Sequence, residues 1–286
     1  MAVLELKAPA KLNLTLDILR KREDGYHDLR MVMHSISLCD RIRLDTDGVE
    51  GIRCSSNLPY LPKDEGNIAV KAALAFFRET GLTCPGLHID IEKHTPACAG
   101  MAGGSSDGAA VLRGLRQLYA PELPNAELER IGAAVGSDVP YCIRGTTALA
   151  EGRGEILQDL PPLPACWFVV CKPDFAISTP ELFRQVNVKK IRLHPDSRGM
   201  IAALEQQDLE GVARRLYNVF EDFLPRRCGE VLVIKQKLLE LGAMNAVMTG
   251  SGPTVFGIFR DKARAQEAYE SLRREYRQTF LEQNSV

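Results

Sequence analysis

The sequence contains no run of about eighteen consecutive apolar residues, so no membrane-spanning helix is expected. Met1 to Lys11 mixes charge with short apolar pieces and lacks the continuous apolar core of a signal peptide. Charge of one sign is not in surplus either: 36 Lys and Arg against 37 Asp and Glu leave a formal net charge of −1. No general attraction to nucleic acid or to an anionic membrane follows, and neither is expected as a partner. The eight cysteines, at 39, 54, 84, 98, 142, 166, 171 and 228, form no Cys-x-x-Cys pair and have no histidine at ligand spacing, so a metal site built on them is not expected. Cys171, following Trp167-Phe168-Val169-Val170, reads as a small reduced hydrophobe. A cytoplasmic protein is the expectation. Internal repeats and low-complexity segments are absent, and 286 residues suggest roughly two domains.

Two familiar phosphate-binding patterns are missing as well. No Gly-Lys-Ser/Thr follows a glycine loop, and Gly-x-Gly-x-x-Gly cannot be laid on Gly100, Gly103 and Gly104. What is present is Pro96-Ala97-Cys98-Ala99-Gly100-Met101-Ala102-Gly103-Gly104-Ser105-Ser106-Asp107 between two regular elements. Leu87, Ile89 and Ile91 alternate with polar residues as in a strand, and Val111, Leu112, Leu115, Leu118 and Tyr119 recur at helical spacing. Ser105, Ser106 and Asp107 are residue types that cap helix starts. Glycines keep side chains away from backbone N–H groups, and a helix start adds unpaired donors and positive dipole, so the turn suits an anion.

Along the chain, Leu12, Leu14, Leu16 and Ile18 alternate with Lys11, Asn13, Thr15 and Asp17, a strand whose polar face carries Lys11 and Asn13 together. A charged loop from Arg20 to Tyr26 leads into Val32, His34, Ile36 and Leu38, and Ile42 and Leu44 begin another short strand. Asn67 to Glu79 reads as a helix capped by Asn67, and Asn125 to Val135 as another, ended by Gly136 in the left-handed position. Asp138 falls in a compact turn, Gly136-Ser137-Asp138-Val139-Pro140, followed by strands at Thr147 to Ala150 and Glu155 to Leu157. Pro161, Pro162 and Pro164 make a natural linker, so the domains are expected at 1–162 and 163–286. The second half opens at Trp167 to Cys171 and has helices at Met200 to Gln207, Leu209 to Phe220 and Gly229 to Leu241. Strands at Ala246 to Met248 and Val255 to Phe259 flank Thr249-Gly250-Ser251-Gly252-Pro253-Thr254, which on local grounds is a hairpin turn. A last helix runs from Lys262 to about Tyr276, and the polar tail to Val286 reads as surface helix.

Lys11 alone is a strand-face charge, and Asp138 alone is a turn-former or helix cap. Taken together, the lysine-bearing strand, the proline-to-serine glycine loop, the Gly-Ser-Asp-Val-Pro turn and the late Gly-Ser-Gly-Pro-Thr turn resemble, in order and approximate spacing, the motif set of the GHMP small-molecule kinases. Ala8-Pro9-Ala10-Lys11-Leu12-Asn13-Leu14 and Arg22-Glu23-Asp24-Gly25-Tyr26-His27 narrow the resemblance to the branch acting on a methylerythritol carried by cytidine diphosphate. The similarity runs from about residue 7 to about residue 260.

The resemblance implies an α+β fold of two domains, a β-rich α/β N-terminal domain and an α+β C-terminal domain with the active site between them. It also implies ATP-dependent phosphorylation of the 2-hydroxyl of that substrate, in the non-mevalonate route to isoprenoid precursors. Asp138 would take the hydroxyl proton, and Lys11 would polarise the hydroxyl and keep Asp138 ionised. Asn13 would bind the substrate near the reacting hydroxyl. Tyr26 and Phe183 would wall the cytosine ring and His27 would select it by hydrogen bonding. Pro96 through Ser106 would wrap the triphosphate, with Asn67 near the adenosine, and Mg2+ would bridge the phosphates with help from Ser105 or Ser106. Met101 and Ala102 depart from the usual leucine and glycine of the loop, and alanine suits the turn provided its φ is negative. The acceptor is thus a small molecule, and monomer and homodimer both remain open. A GHMP kinase for mevalonate, homoserine or a sugar, and a nucleotide-binding GHMP-fold protein without catalysis, are the alternatives. The Tyr26-His27 pair argues against the first, and the presence of both Lys11 and Asp138 against the second.

Overall fold

The alternation around Leu14 is realised in β1 (Val3–Lys21), the first element of the computed structural model. The structure describes residues 2–46 and 48–284, so Met1, at the start of the expected first domain, and Ser285 and Val286, at the end of the polar tail, lie outside the described residues. Contacts divide the chain into two units. One holds the residues up to Ala10, Leu38–Ala97 and Ala102–Gly145; the other holds Lys11–Ser37, Cys98–Met101 and the chain from Thr146 onward.

The first unit contains the start of β1, the end of β2 (His27–Asp45), β3 (Ile52–Ser56), α1 (Ile68–Thr80), β4 (Leu87–Glu92), α2 (Gly103–Tyr119), α3 (Asn125–Val135) and α4 (Val139–Arg144). β4 pairs antiparallel with β2 from Arg41↔Glu92 to Asp45↔His88 and parallel with β3. Ile42, Leu44, Ile89 and Ile91 from the sheet and Val70, Phe76, Val111, Leu112 and Leu115 from α1 and α2 are buried. α2 sits so close to the sheet that a Cβ on Gly114 would lie 2.5 Å from Leu44 Cδ1, so any side chain there would have to push leucines of the sheet aside. Asn67 caps α1 as expected, its Oδ1 accepting from the Ala69 N–H at 3.0 Å. Gly136 differs from expectation: at φ −173° and ψ 149° it is extended, not left-handed, because the chain turns at once into α4 with the Val139 N–H donating to Gly136 O. The expected compact turn at Asp138 is therefore the entry to a helix, with Pro140 in its first turn, where no N–H is required.

The second unit contains the end of β1, the start of β2, β5 (Ala148–Gly152), β6 (Ile156–Asp159), β7 (Cys166–Lys172), α5 (Thr179–Gln185), α6 (Ser197–Glu205), α7 (Leu209–Arg214), β8 (Tyr217–Asn218), α8 (Glu230–Glu240), β9 (Asn245–Met248), β10 (Val255–Phe259), α9 (Lys262–Arg273) and β11 (Gln278–Asn284). β1 and β2 are joined by a tight turn in which Arg22 N–H donates to Tyr26 O and Gly25 takes φ 86°. β2 then runs unbroken, so the separate strand expected at Ile42 is its continuation. β5 pairs with β2 and β6 with β5, while β8 lies parallel to β1. A second sheet has the order β11-β7-β10-β9, antiparallel throughout, with α8 and α9 packed on it.

Two helices were expected too long. α7 stops at Arg214 because the chain straightens into β8, where Thr15↔Tyr217 and Leu16↔Asn218 pair with β1. α9 ends at Arg273, and the described part of the tail is the strand β11, paired with β7 from Gln278↔Lys172 to Asn284↔Cys166, not surface helix. Mixed sheets and helices in both units make the fold α+β, as expected.

Candidate active site

Within the first unit, β4 delivers the chain to buried Pro96 and half-buried Ala97. α2 begins earlier than its capping residue types suggested. Its N-cap is Ala102, at φ 56° and ψ 27°, with no side-chain capping bond, and Ser105, Ser106 and Asp107 lie inside the helix. The alanine therefore does not have the negative φ that would suit it. Its methyl side chain has no acceptor, and the first N–H groups of a helix lack intrahelical partners, so Gly103, Gly104 and Ser105 present donors at the positive end of the helix dipole. Ser106 is buried and its hydroxyl donates to Pro9 O at 2.7 Å, whereas the Ser105 hydroxyl makes no hydrogen bond among the described residues. A Cβ on Gly136 would lie 3.9 Å from Ser105 Oγ, so this first helical turn neighbours the entry to α4. Asp138 occupies the N-cap position of α4 at φ −85° without capping it. The half-buried carboxylate makes no hydrogen bond or ion pair among the described residues.

The two ends of the loop are tied by charges that sequence reasoning missed. Lys93, directly after β4, donates to Asp107 Oδ2 at 2.7 Å and pairs also with Asp40 of β2. Asp40 accepts the N–H groups of His94 and Thr95 at 2.6 and 2.7 Å. Lys93, Asp40 and Asp107 are all buried, and among the described residues Asp107 Oδ1 and Thr95 Oγ1 find no partner. Burial pushes the Asp107 carboxyl up to about 8. Burial works against the Lys93 ammonium, but the two carboxylates outweigh it and hold Lys93 above the ordinary lysine range. The signal available was a charged residue at each end of a glycine loop, which does not by itself say that the two meet.

Within the second unit, Lys11 is 4% exposed, and its Nζ donates to Asn13 Oδ1 at 2.5 Å and to Gly100 O at 3.0 Å. Its own N–H donates to Met101 O at 3.1 Å. Strand alternation thus puts Lys11 and Asn13 side by side, as expected. The late glycine turn is indeed the hairpin between β9 and β10, with Val255 opposite Met248. It also touches the loop. The Asn13 N–H donates to Thr249 Oγ1 at 3.0 Å, and a Cβ on Gly100 would lie 2.3 Å from Thr249 O. Asn218, a residue with no sequence signal, holds this turn by donating to Met248 O and Gly250 O at 2.7 and 2.8 Å. Cys98 and Ala99 complete this part of the loop, Cys98 exposed at φ 51° and Ala99 buried.

The aromatic candidates divide. His27 stacks on Phe183 of α5, ring centroids 5.1 Å apart and planes at 20°, and the edge of Phe220 meets Phe183 at 4.9 Å. Burial, then the nearby Lys21 charge, hold His27 below the ordinary histidine range, so the imidazole is neutral near pH 7 and has one donor and one acceptor. Tyr26 is 54% exposed, and its ring carries the Arg153 guanidinium at 4.9 Å rather than facing Phe183. Asn67 spends its side chain on α1 and on Pro62 O, to which its Nδ2 donates at 2.9 Å.

Residues 67–146 match the model of the GHMP kinases N-terminal domain, and residues 200–278 match that of the GHMP kinases C-terminal domain. A curated relative, 4-diphosphocytidyl-2-C-methyl-D-erythritol kinase of Geobacillus thermodenitrificans, is 45% identical over 94% of this chain and 93% of its own length. The chain belongs to the 4-diphosphocytidyl-2-C-methyl-D-erythritol kinase family. A crystal structure of a 4-(cytidine 5'-diphospho)-2C-methyl-D-erythritol kinase superposes with TM-score 0.83 at 32% identity, covering 98% of each chain. A homoserine kinase from Cytophaga hutchinsonii has TM-score 0.73 over 100% of this chain and 95% of its own, but at 16% identity that likeness is of fold alone. The chain is a kinase, and membership of the GHMP kinases implies ATP as phosphate donor. Among the described residues, no helix is long and apolar enough to cross a membrane, and no cluster of three or more His, Cys, Asp or Glu could hold a metal ion.

Proposed function

We propose that the chain transfers the terminal phosphoryl group of ATP to the 2-hydroxyl of 4-diphosphocytidyl-2-C-methyl-D-erythritol, giving the 2-phosphate. The observation that carries this reading is 45% identity, over nearly the whole chain, to a relative named for that substrate. Asp138 takes the hydroxyl proton, a role supported by a carboxylate with no competing partner among the described residues. Lys11 polarises the hydroxyl and favours ionised Asp138, and Asn13, to which it donates, orients the substrate. The backbone of Pro96 through Ser106 wraps the triphosphate, and Asn67 borders the adenosine. Magnesium comes with the nucleotide. Of the two serines at the start of α2, Ser105 is the one whose hydroxyl would meet the ion, since that of Ser106 is committed to Pro9 O. When bound, magnesium would supply charge neutralisation, and the chain's own residues do the alignment.

Tyr26 and Phe183 supply ring faces for the cytosine, and neutral His27 reads its edge with one donor and one acceptor. The domains fall at 1–162 and 163–286, a division supported by the two family models lying on either side of it. The reaction takes place in the cytoplasm, for which the scattered placement of the cysteines, suited to a reducing compartment, speaks, in a monomer or homodimer that binds neither nucleic acid nor membrane.

The test is phosphate transfer from ATP with magnesium to the cytidyl compound, to mevalonate and to homoserine, following both ADP and phosphorylated product. Transfer to the cytidyl compound alone is expected. Transfer to a different alcohol would overturn the cytosine pocket, and transfer to none would favour nucleotide binding without catalysis.

A further inference from the structure

The turn between β5 and β6 carries a guanidinium whose position the fold controls closely. Gly152 lies opposite Leu29 in the pairing of β5 with β2, which brings the next residue, Arg153, beside the start of β2 and the residue before it, Tyr26. The turn is braced from inside. Gly152 takes φ 70°, the Gly154 N–H donates to Glu151 O at 3.1 Å, and the Glu155 carboxylate accepts the Arg153 N–H at 2.6 Å. The outcome is a half-buried Arg153 with its guanidinium carbon 4.9 Å from the centre of the Tyr26 ring. A guanidinium over an aromatic face keeps its edge N–H groups for other acceptors.

Those donors are unspent. The Arg153 side chain makes no hydrogen bond or ion pair among the described residues. Asp24, whose carboxylate feels the Arg153 charge, is already held by Arg22 Nε at 3.0 and 3.2 Å, and Arg22 also engages Asp28 at 2.9 Å. Desolvation pushes the Asp24 carboxyl up, but the Tyr26 N–H, then Arg22 and finally the Arg153 charge bring it below its usual range, so Asp24 is ionised and occupied. Glu151 is likewise paired with Arg30 at 2.9 Å. Each carboxylate around the turn has its own partner.

We propose that Arg153 binds the diphosphate of the cytidine-bearing substrate, as a specificity-determining residue beside the cytosine pocket; this rests on the reading of Tyr26 given above. A nucleoside diphosphate carries its two phosphates one ribose away from its base. A cation held over the ring that receives the base is therefore within reach of them, and a guanidinium fork matches phosphate oxygens in pairs. The pairing makes a diphosphate, not merely a pyrimidine, the recognised group.

Calorimetric titration of the intact enzyme with CDP and, separately, with cytidine tests this. Arg153→Ala is expected to weaken CDP binding by about 10- to 100-fold while leaving cytidine within about twofold. Arg153→Lys is expected to fall between, since it keeps the charge but loses the fork. A CDP affinity unchanged in both variants, or equal losses for CDP and cytidine, would overturn the proposal. A wild-type enzyme that binds neither CDP nor cytidine would overturn the cytosine-pocket reading beneath it, a result distinct from either of those.

Discussion

Lys93 Nζ and Asp107 Oδ2 meet at 2.7 Å and close the glycine loop at its base, one residue standing before it and the other after it. Asp40 in turn fixes the N–H groups of His94 and Thr95 just before the loop. Replacing Lys93 by Ala leaves the buried Asp40 carboxylate without its cation and Asp107 without its donor. Removing one member of a buried ion pair costs about 3 to 5 kcal/mol. Lys93→Ala is therefore expected to lower the urea midpoint sharply and raise KM for ATP, while Lys93→Arg recovers part of both. An alanine variant with wild-type stability and wild-type KM for ATP would show that the closure does not matter.

Ala102 holds a left-handed conformation at φ 56° where a helix N-cap ordinarily is extended. That conformation costs an L-residue about 1 to 2 kcal/mol, and glycine escapes the cost while losing a fraction of the gain to its freer unfolded chain. Ala102→Gly is expected to be neutral to stabilising by up to about 1 kcal/mol with ATP binding retained. Ala102→Val, β-branched in the same conformation, should be destabilising. Equilibrium unfolding of the two variants checks the order, and a valine variant as stable as the glycine one would refute it.

Part of this was legible because periodicity reports which residues share a face, though not that both faces of this strand are buried. Leu12, Leu14, Leu16 and Ile18 are all buried, and the polar alternates Lys11 and Asn13 share the opposite face and a hydrogen bond. Asn67 and the start of α1 were legible because a cap is a local device. What was not legible depends on partners distant in sequence. The polar tail forms β11 because β7 offers it an open edge, and no local feature of Gln278 to Asn284 announces that. Leu209 to Phe220 has helical spacing, yet Tyr217 and Asn218 are taken by β1. At the site, Lys93, Asp40, Asn218 and Arg153 gain their meaning only from the residues opposite them. The φ of Ala102 stayed open because the conformation of one residue in a glycine turn is decided by the packing on both sides of it.

His34 is buried, its Nε2 paired with Asn284 Oδ1 and its Nδ1 with Thr147 Oγ1, both at 2.9 Å. Asn284 donates in turn to Leu163 O and Pro164 O, so the imidazole anchors the end of β11 to the proline linker. Burial holds His34 down to about 4, against about 6.5 in an unfolded chain. A depressed folded value means that the stability tied to neutral His34 is complete above about pH 6.5 and is lost as pH falls toward 4, by roughly 3 kcal/mol in all. His34→Gln is expected to be less stable at pH 7 but to lose less on going to pH 5. Parallel unfolding curves at the two pH values decide it: equal acid losses in wild type and variant would remove His34 as the source.

Asp138 supplies the sharpest separation between chemistry and folding. Its carboxylate caps no helix and pairs with no cation among the described residues, and its backbone, at φ −85° and ψ −10°, suits alanine as well as aspartate. Asp138→Ala is therefore expected to change stability by no more than about 0.5 kcal/mol, the range of substitutions without partners. The nucleotide site is built from backbone N–H groups of another segment, so ATP affinity should hold. Turnover should not, since a general base contributes ~100 to 10,000-fold. A measured kcat within about tenfold of wild type, in a variant that is folded and binds ATP, would remove Asp138 from the mechanism; a loss of several orders of magnitude together with lost ATP affinity would assign it to nucleotide binding instead. Only a fall in kcat alone, with KM for ATP and the unfolding midpoint unmoved, fits a residue whose single task is to accept the proton of the attacking hydroxyl.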